Sequence, residues 1–131
     1  MRITRTGFIL YVEEYEACVA FYRDALELRT MFDTPDLTCF DFGGSYLMVE
    51  RVDGDDDRYG RGAMSTYPTC LRMNVPDVRA CADALVRKGV EVDYQQHEWG
   101  SVAKFVDPAG NLCAFKDDEK FERQIAEAEG R

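Results

Sequence analysis

The sequence predicts an α+β fold built from two tandem copies of one βαβββ unit. Strand and helix patterns follow each other in the same order in both halves of the 131 residues. Val12 and Val75 each close a strand directly before a helix, and Gly44 and Gly110 each turn a hairpin into a final strand. Matching junctions at nearly equal spacing indicate an internal duplication. A chain of this length buries enough surface for a core without disulfides.

The first unit is predicted to span residues 5–52. Residues 5–12 are rich in β-branched and aromatic residues, which predicts a strand. Apolar residues then recur at helical spacing over residues 15–28. Three short strands are predicted after this helix, at residues 29–33, 38–42 and 45–52. Gly43-Gly44 predicts a hairpin between the last two strands because glycine tolerates positive φ.

The second unit is predicted to span residues 67–116. It opens with a strand over residues 67–75 and a helix over residues 76–88. Pro76 suits the first helical turn, where a missing N–H costs little, and Gly89 suits the helix end. Three further strands are predicted at residues 91–94, 102–106 and 112–116.

Two segments lie outside the repeated units. Residues 53–66 begin with an acidic run and contain three glycines, which is typical of a linker. Residues 117–131 form an acidic C-terminal tail, in which residues 121–129 predict a solvated helix. We therefore expect a single domain of two modules, a linker and a tail.

The charge and cysteine content restrict the partners and the compartment. A net charge of −9 disfavours nucleic acid and anionic membrane as partners; it either attracts cationic ligands or serves solubility alone. Five scattered cysteines indicate neither a disulfide framework nor a structural zinc module. The apolar runs are far shorter than a membrane span, and the N-terminus runs directly into a strand, so we expect a cytoplasmic protein.

An ordered set of motifs resembles the vicinal oxygen chelate superfamily, which includes glyoxalase I, extradiol dioxygenases, fosfomycin resistance enzymes and bleomycin resistance proteins. The motifs are Leu10-Tyr11-Val12, Phe21-Tyr22-Arg23-Asp24-Ala25-Leu26, Asp41-Phe42-Gly43-Gly44, Trp99-Gly100 and Asp107-Pro108-Ala109-Gly110-Asn111. The resemblance covers residues 5–116 and implies mixed sheets that curl around a cleft, the glyoxalase/bleomycin resistance fold. It also implies a homodimer.

The resemblance further implies where a catalytic metal is held in the enzymatic members. One ligand lies five residues before the valine that closes the first strand of each module, which gives Gly7 and Cys70. The other lies four residues after the hairpin glycine, which gives Met48 and Ala114. Divalent metals of this kind are held by His nitrogen and carboxylate oxygen, so we expect neither a bound metal nor another cofactor.

A displaced metal site is the alternative. Such a relocated site would use Glu50, Cys70 and His97, whose side chains carry ligand atoms. His97 itself matches no ligand position and is expected to lie in an exposed loop. Cys70 is a nucleophile only if its pKa is depressed.

Strand alternation predicts which side chains face the cleft, because every second residue lies on the same face. The expected ligand-binding residues are Tyr11, Tyr46, Met48, Glu50, Arg72, Asn74 and Trp99. Arg72 either clamps a ligand carboxylate or phosphate, or pairs with Glu50 or another acid across the cleft. Trp99 either stacks on a flat ligand or is an ordinary core or interface aromatic.

The opposite sheet face is predicted to pack against the helices. Its residues are uniformly apolar, as expected for a core. They are Phe8, Leu10, Val12, Leu47, Val49, Leu71, Met73, Val75 and Phe115.

These observations predict a metal-independent small-molecule binding protein of the glyoxalase/bleomycin resistance type. The closest likeness is to the bleomycin resistance branch, and the acidic chain favours a cationic drug or metabolite as ligand. The alternatives are a metal-dependent glyoxalase-type lyase or extradiol-type dioxygenase with displaced ligands, and a structural or regulatory module without a ligand. No residue is assigned a catalytic role.

Overall fold

A computed structural model of the chain describes residues 1–52 and 68–130. The predicted linker at residues 53–66 lies outside this part of the chain. The elements follow the predicted βαβββ order twice. The first half contains β1 (Arg5–Val12), α1 (Tyr15–Ala20), β2 (Thr30–Thr34), β3 (Leu37–Phe42) and β4 (Ser45–Arg51). The second contains β5 (Thr69–Val75), α2 (Val78–Arg87), β6 (Asp93–His97), β7 (Gly100–Val106), β8 (Leu112–Asp117) and a terminal helix, α3 (Asp118–Glu129).

All eight strands form one curled, unclosed sheet in the order β2-β3-β4-β1-β5-β8-β7-β6. The two halves meet at the centre, where β1 and β5 pair antiparallel. Within the halves the register repeats: β1 is parallel to β4, with Ile9 opposite Met48, and β5 is parallel to β8, with Arg72 opposite Ala114. The predicted α+β class and its glyoxalase/bleomycin resistance fold are confirmed.

The first helix is shorter than its apolar pattern predicts. After Ala20 the chain continues as a π-helical turn over Phe21–Ala25, in which Leu26 N–H donates to the Phe21 carbonyl. Glu27 then takes a left-handed φ of 56°. The helix ends here, because Glu27 is in the αL conformation and Leu28 N–H donates a hydrogen bond back to the Tyr22 carbonyl. The predicted boundary at residue 28 is therefore wrong by about one turn.

The helices α1 and α2 each cover one flank of the sheet. Val49 packs in the cluster under α1, and Val75 and Phe115 pack in the cluster under α2. The centre differs from the prediction. Phe8 and Leu71 face each other across β1 and β5 and remain 45% and 40% exposed, because neither helix reaches the seam between the halves.

The C-terminal tail is the largest correction to the predicted fold. Asp117 caps α3 by accepting a hydrogen bond from Lys120 N–H. The Phe121 ring is completely buried on the concave side of the sheet, against Phe32 and Tyr46, with ring centroids 5.5 and 4.5 Å away. α3 is therefore part of the core and not a solvated helix. No helix in the described part of the chain is both long and apolar enough to cross a bilayer.

Candidate ligand-binding cavity

A cavity of about 300 Å³ lies on the concave side of the sheet. Its apolar walls come from β1, β4, β7 and β8, through Ile9, Met48, Val102 and Ala114. The hairpin between β2 and β3, residues 34–37, forms one rim, and Gln124 of α3 closes another side. The volume is at the lower end of the range for small-molecule pockets.

The structure brings five of the seven predicted ligand-binding residues to this cavity. Tyr11, Met48, Glu50, Arg72 and Trp99 all line it. They come from β1, β4, β5 and the turn before β7, so the cavity spans both halves of the chain.

Tyr46 and Asn74 lie elsewhere. Both are completely buried and neither is part of the cavity wall. The Tyr46 hydroxyl donates to Asn74 Oδ1 at 2.7 Å, and Asn74 Nδ2 donates to Asp118 Oδ1 at 3.3 Å. Burial raises the pKa of the Tyr46 phenol. These two side chains therefore anchor the first turn of α3 to the sheet.

The first position implied for a metal ligand, Gly7, is filled by protein. A Cβ added to Gly7 would lie 2.5 Å from both Cδ2 and the carbonyl oxygen of Tyr46. Tyr46 lies directly opposite Gly7 in the sheet, and its ring is covered by Phe121. Position 7 therefore has room for neither a ligand side chain nor an ion.

The other three implied positions offer no suitable donor set either. Ala114 has no ligand atom, and Met48 has only a soft thioether. Burial raises the pKa of the Cys70 thiol to about 11, so it stays protonated at neutral pH and lacks the depressed pKa of a nucleophile. Within residues 1–52 and 68–130, no three His, Cys, Asp or Glu side chains come together in a way that could hold a metal ion. The residues present do not fit a divalent metal.

Arg72 is the most unusual polar residue of the cavity. It is only 7% exposed, and its Nε is buried without a hydrogen-bond partner among the described residues. Burial disfavours the charged form, but Tyr46, Cys70, Tyr11 and Glu50 outweigh it and raise the pKa of the guanidinium. Burying a cation with an unsatisfied donor costs free energy. A ligand whose acceptor bonds to this donor removes part of that cost and is therefore bound favourably.

Lys116 is a second buried basic residue of the wall. It is 1% exposed, and its amine donates to the Trp99 carbonyl oxygen at 2.9 Å. Burial is the main cause that lowers its pKa to about 6, and the neighbouring Arg72 lowers it further. At neutral pH the amine is therefore mostly uncharged.

Trp99 does not offer an open face for stacking. Its ring is stacked on His97 at a centroid distance of 4.4 Å, and Lys116 Nζ lies 4.2 Å from the same centroid. A flat ligand would have to displace one of these contacts. His97 itself lies on β6 and bonds to Gln95, so it is held in a strand and not in the predicted exposed loop.

Lys104 and Lys116 were not among the ligand-binding residues predicted from the sequence. Lys104 lies opposite Ala114 across β7 and β8, and both lysines line the cavity. The signal was present, because alternation from Leu112 through Ala114 leads to residue 116 on the same face. Gln124 was missed since its position depends on the docking of α3.

A comparison with protein families matches residues 2–115 to the glyoxalase/bleomycin resistance protein/dioxygenase superfamily. No curated protein sequence matches the chain.

Solved structures agree on the fold. A structure described as NAD-dependent benzaldehyde dehydrogenase from Legionella pneumophila is 15% identical, with a TM-score of 0.70, over 86% of this chain and 97% of that one. A member of the superfamily from Vibrio splendidus 12B01 is 16% identical, with a TM-score of 0.61, over 87% and 98%. Methylmalonyl-CoA epimerase from Mycobacterium tuberculosis is 13% identical, with a TM-score of 0.68, over 88% of both chains. With the family match over nearly the whole length and the same curled sheet, the chain belongs to the glyoxalase/bleomycin resistance protein/dioxygenase superfamily.

Proposed function

We propose that the chain is a metal-independent binding protein for a small organic anion. The proposal rests on the state of Arg72, which lines the cavity nearly fully buried and whose Nε has no hydrogen-bond partner among the described residues. A carboxylate or phosphate oxygen is the acceptor that a guanidinium binds best. The apolar wall suits the remainder of a small organic acid.

The cavity does not share the strong negative charge of the whole chain. Arg72 and Lys104 line it against Asp36 and Glu50, and Lys116 is mostly uncharged at neutral pH. The buried Arg72 guanidinium therefore favours an anion, whereas the net charge of −9 led to the expectation of a cationic drug or metabolite. A glycopeptide of the bleomycin kind is also larger than a cavity of about 300 Å³.

The proposed setting is the reducing cytoplasm. All five cysteines are free thiols, and three of them, Cys39, Cys70 and Cys113, are buried. Buried thiols without disulfide partners are typical of that compartment.

A thermal-shift screen tests the proposal. Small aromatic and aliphatic carboxylates are compared with their amides and with amines of the same shape. A ligand at 100 times its Kd adds about 2.7 kcal/mol, which raises the Tm by roughly 10 °C in a chain of this size. We expect stabilisation by acids, and not by amides or amines.

Two variants make the screen specific. Arg72→Met should abolish the stabilisation by acids, and the shift is measured against the variant's own ligand-free Tm, because removing a charge that interacts with the buried Glu50 can itself lower stability. Arg87→Met, on the exposed last turn of α2, is the matched control and should respond as the wild type does. Stabilisation by amines alone would contradict the proposal. The metal-dependent alternative predicts about one equivalent of bound metal that disappears when Glu50 is replaced.

A further inference from the structure

Lys116 is a buried amine that lines a ligand cavity without a carboxylate partner. Among the described residues it makes no ion pair, and its contacts are the Trp99 carbonyl and ring. Buried lysines are ordinarily paired with an acid because burying a lone ammonium is costly. This residue is therefore arranged as an uncharged amine.

The surrounding charges support the same conclusion. Arg72 on β5 and Lys120 on α3 both disfavour a further positive charge, whereas Asp117, the next residue along β8, and the Trp99 ring favour it. Burial is the largest cause of the shift and Arg72 adds to it, and the resulting pKa of about 6 leaves the amine mostly neutral at pH 7. A desolvated lysine beside another cation is the arrangement that makes an amine nucleophilic toward carbonyl groups.

The geometry also places the amine near the proposed anion site. Arg72 lies opposite Ala114 on the neighbouring parallel strand, and residue 116 follows on the same face of β8. Both side chains line the same cavity, and Arg72 is close enough to lower the pKa of the Lys116 amine. A small molecule in this cavity can therefore place its acid group at Arg72 and a second functional group at Lys116.

We propose that Lys116 forms an imine with the carbonyl group of a small aldehyde acid or keto acid whose carboxylate is held by Arg72. The Nζ lone pair attacks the carbonyl carbon, so that a C–N bond forms, the C=O π bond breaks and a proton moves from nitrogen to the oxygen. The carbonyl oxygen leaves as water with the two hydrogens of the amine, so no oxidant or reductant is needed. This inference rests on the proposed anion binding and names the ligand class more narrowly.

Reductive trapping tests the imine. The protein is incubated at pH 7 with 4-carboxybenzaldehyde and sodium cyanoborohydride, whose hydride converts an imine into a stable secondary amine. Peptide mass spectrometry then compares the four lysines, Lys88, Lys104, Lys116 and Lys120. We expect labelling of Lys116 to be at least tenfold faster than that of exposed Lys88. Benzaldehyde, which lacks the carboxylate, should label Lys116 at least tenfold more slowly.

The pH profile provides a second readout. Corrected for the pH dependence of the cyanoborohydride reduction, labelling of Lys116 should rise through pH 6 and level off, since the neutral amine is then fully formed. With the same correction, labelling of an ordinary exposed lysine increases about tenfold per pH unit up to about pH 10. Lys88→Arg should leave the Lys116 profile unchanged, whereas Lys116→Arg should remove this product.

The outcomes separate this inference from the proposed function. If carboxylates stabilise the protein through Arg72 but Lys116 is labelled no faster than Lys88, the imine is refuted and anion binding stands. If benzaldehyde labels Lys116 as fast as 4-carboxybenzaldehyde does, and Lys116 is labelled as fast in Arg72→Met as in wild type, the anion site at Arg72 is refuted. If carboxylates neither stabilise the protein nor label Lys116, both are wrong.

Discussion

At the scale of single residues, the contact between Gly7 and Tyr46 explains why a single substitution cannot place a metal ligand at position 7. The ring and carbonyl oxygen of Tyr46 occupy the space of a side chain at position 7. A histidine placed there would have to displace a completely buried ring. The present packing around Tyr46 is therefore incompatible with a ligand side chain at position 7.

Gly7→Ala should therefore be strongly destabilising for so small a change. Overpacking of a tight core costs about 1–3 kcal/mol, and the contact with backbone leaves little room for relaxation. Urea unfolding measures the change in the free energy of unfolding. Gly130→Ala at the end of α3 is the control, because its Cβ would make ordinary contacts at 3.5 Å or more. Equal stability of Gly7→Ala and wild type would contradict the packing described.

Lys116 should make stability depend on pH. Its folded pKa of about 6 lies below the unfolded value of 10.5, so the unfolded chain binds more protons between these pH values. The free energy of unfolding should then rise with pH by about 1.4 kcal/mol per unit in that window. Urea unfolding of wild type and Lys116→Met from pH 6.5 to 9 isolates this contribution. A constant difference between the two proteins would show that Lys116 is charged in the fold.

At the scale of elements, α3 decides the shape of the cavity. Phe121 fills the part of the concave face that Tyr46 and Asn74 were expected to offer to a ligand, and Gln124 lines what is left. Arg5 pairs with Glu122, and Asn74 bonds to Asp118, so the helix is fixed along its first turns. The helix therefore converts an open cleft into a small cavity.

Phe121→Ala should destabilise the protein and loosen the packing of α3 against the sheet. Removing a fully buried phenylalanine costs about 3–5 kcal/mol. Chemical denaturation measures the loss, and Glu127→Ala on the exposed side of α3 should change stability by less than about 0.5 kcal/mol. A small effect of Phe121→Ala would mean that α3 does not belong to the core.

The strands were predictable from sequence, whereas the docking of α3 was only partly so. Alternation and the glycine hairpins predict β1, β3, β4 and β8 closely, because local patterns determine which face of a strand is buried. In α3, Phe121 and Ile125 recur at helical spacing, which is a signal of one buried face. The contacts of Trp99 with His97 and Lys116 depend on how β7 returns to β8, and no local pattern encodes that approach.

At the scale of the whole molecule, the seam between the halves suggests how copies of the chain would associate. Phe8 and Leu71 form an apolar pair on the convex face, where neither helix covers them. The homodimer implied by family resemblance remains a proposal, and this seam is the surface we propose for it. Interfaces are usually marked by larger contiguous apolar patches, and the exposed pair of Phe8 and Leu71 would form the centre of such a surface.

Sedimentation velocity tests the dimer. The wild type should show an apparent mass of twice the 15.0 kDa of one chain. Leu71→Glu should sediment as a monomer, because a buried, unpaired charge at an interface is costly. Val86→Glu, at an exposed apolar position on α2, is the control and should remain dimeric. A monomeric wild type would refute the dimer.

The most direct test of metal-free anion binding is a crystal structure of the protein with the best acid from the screen. We expect a carboxylate oxygen within about 3.2 Å of Arg72 Nε, with the rest of the ligand between Met48 and Val102. We also expect Tyr46 to fill the space at Gly7 and no ion to be held between positions 48, 70 and 114. A ligand bound through a cation at Glu50, or an ion coordinated by several side chains in the cavity, would contradict it.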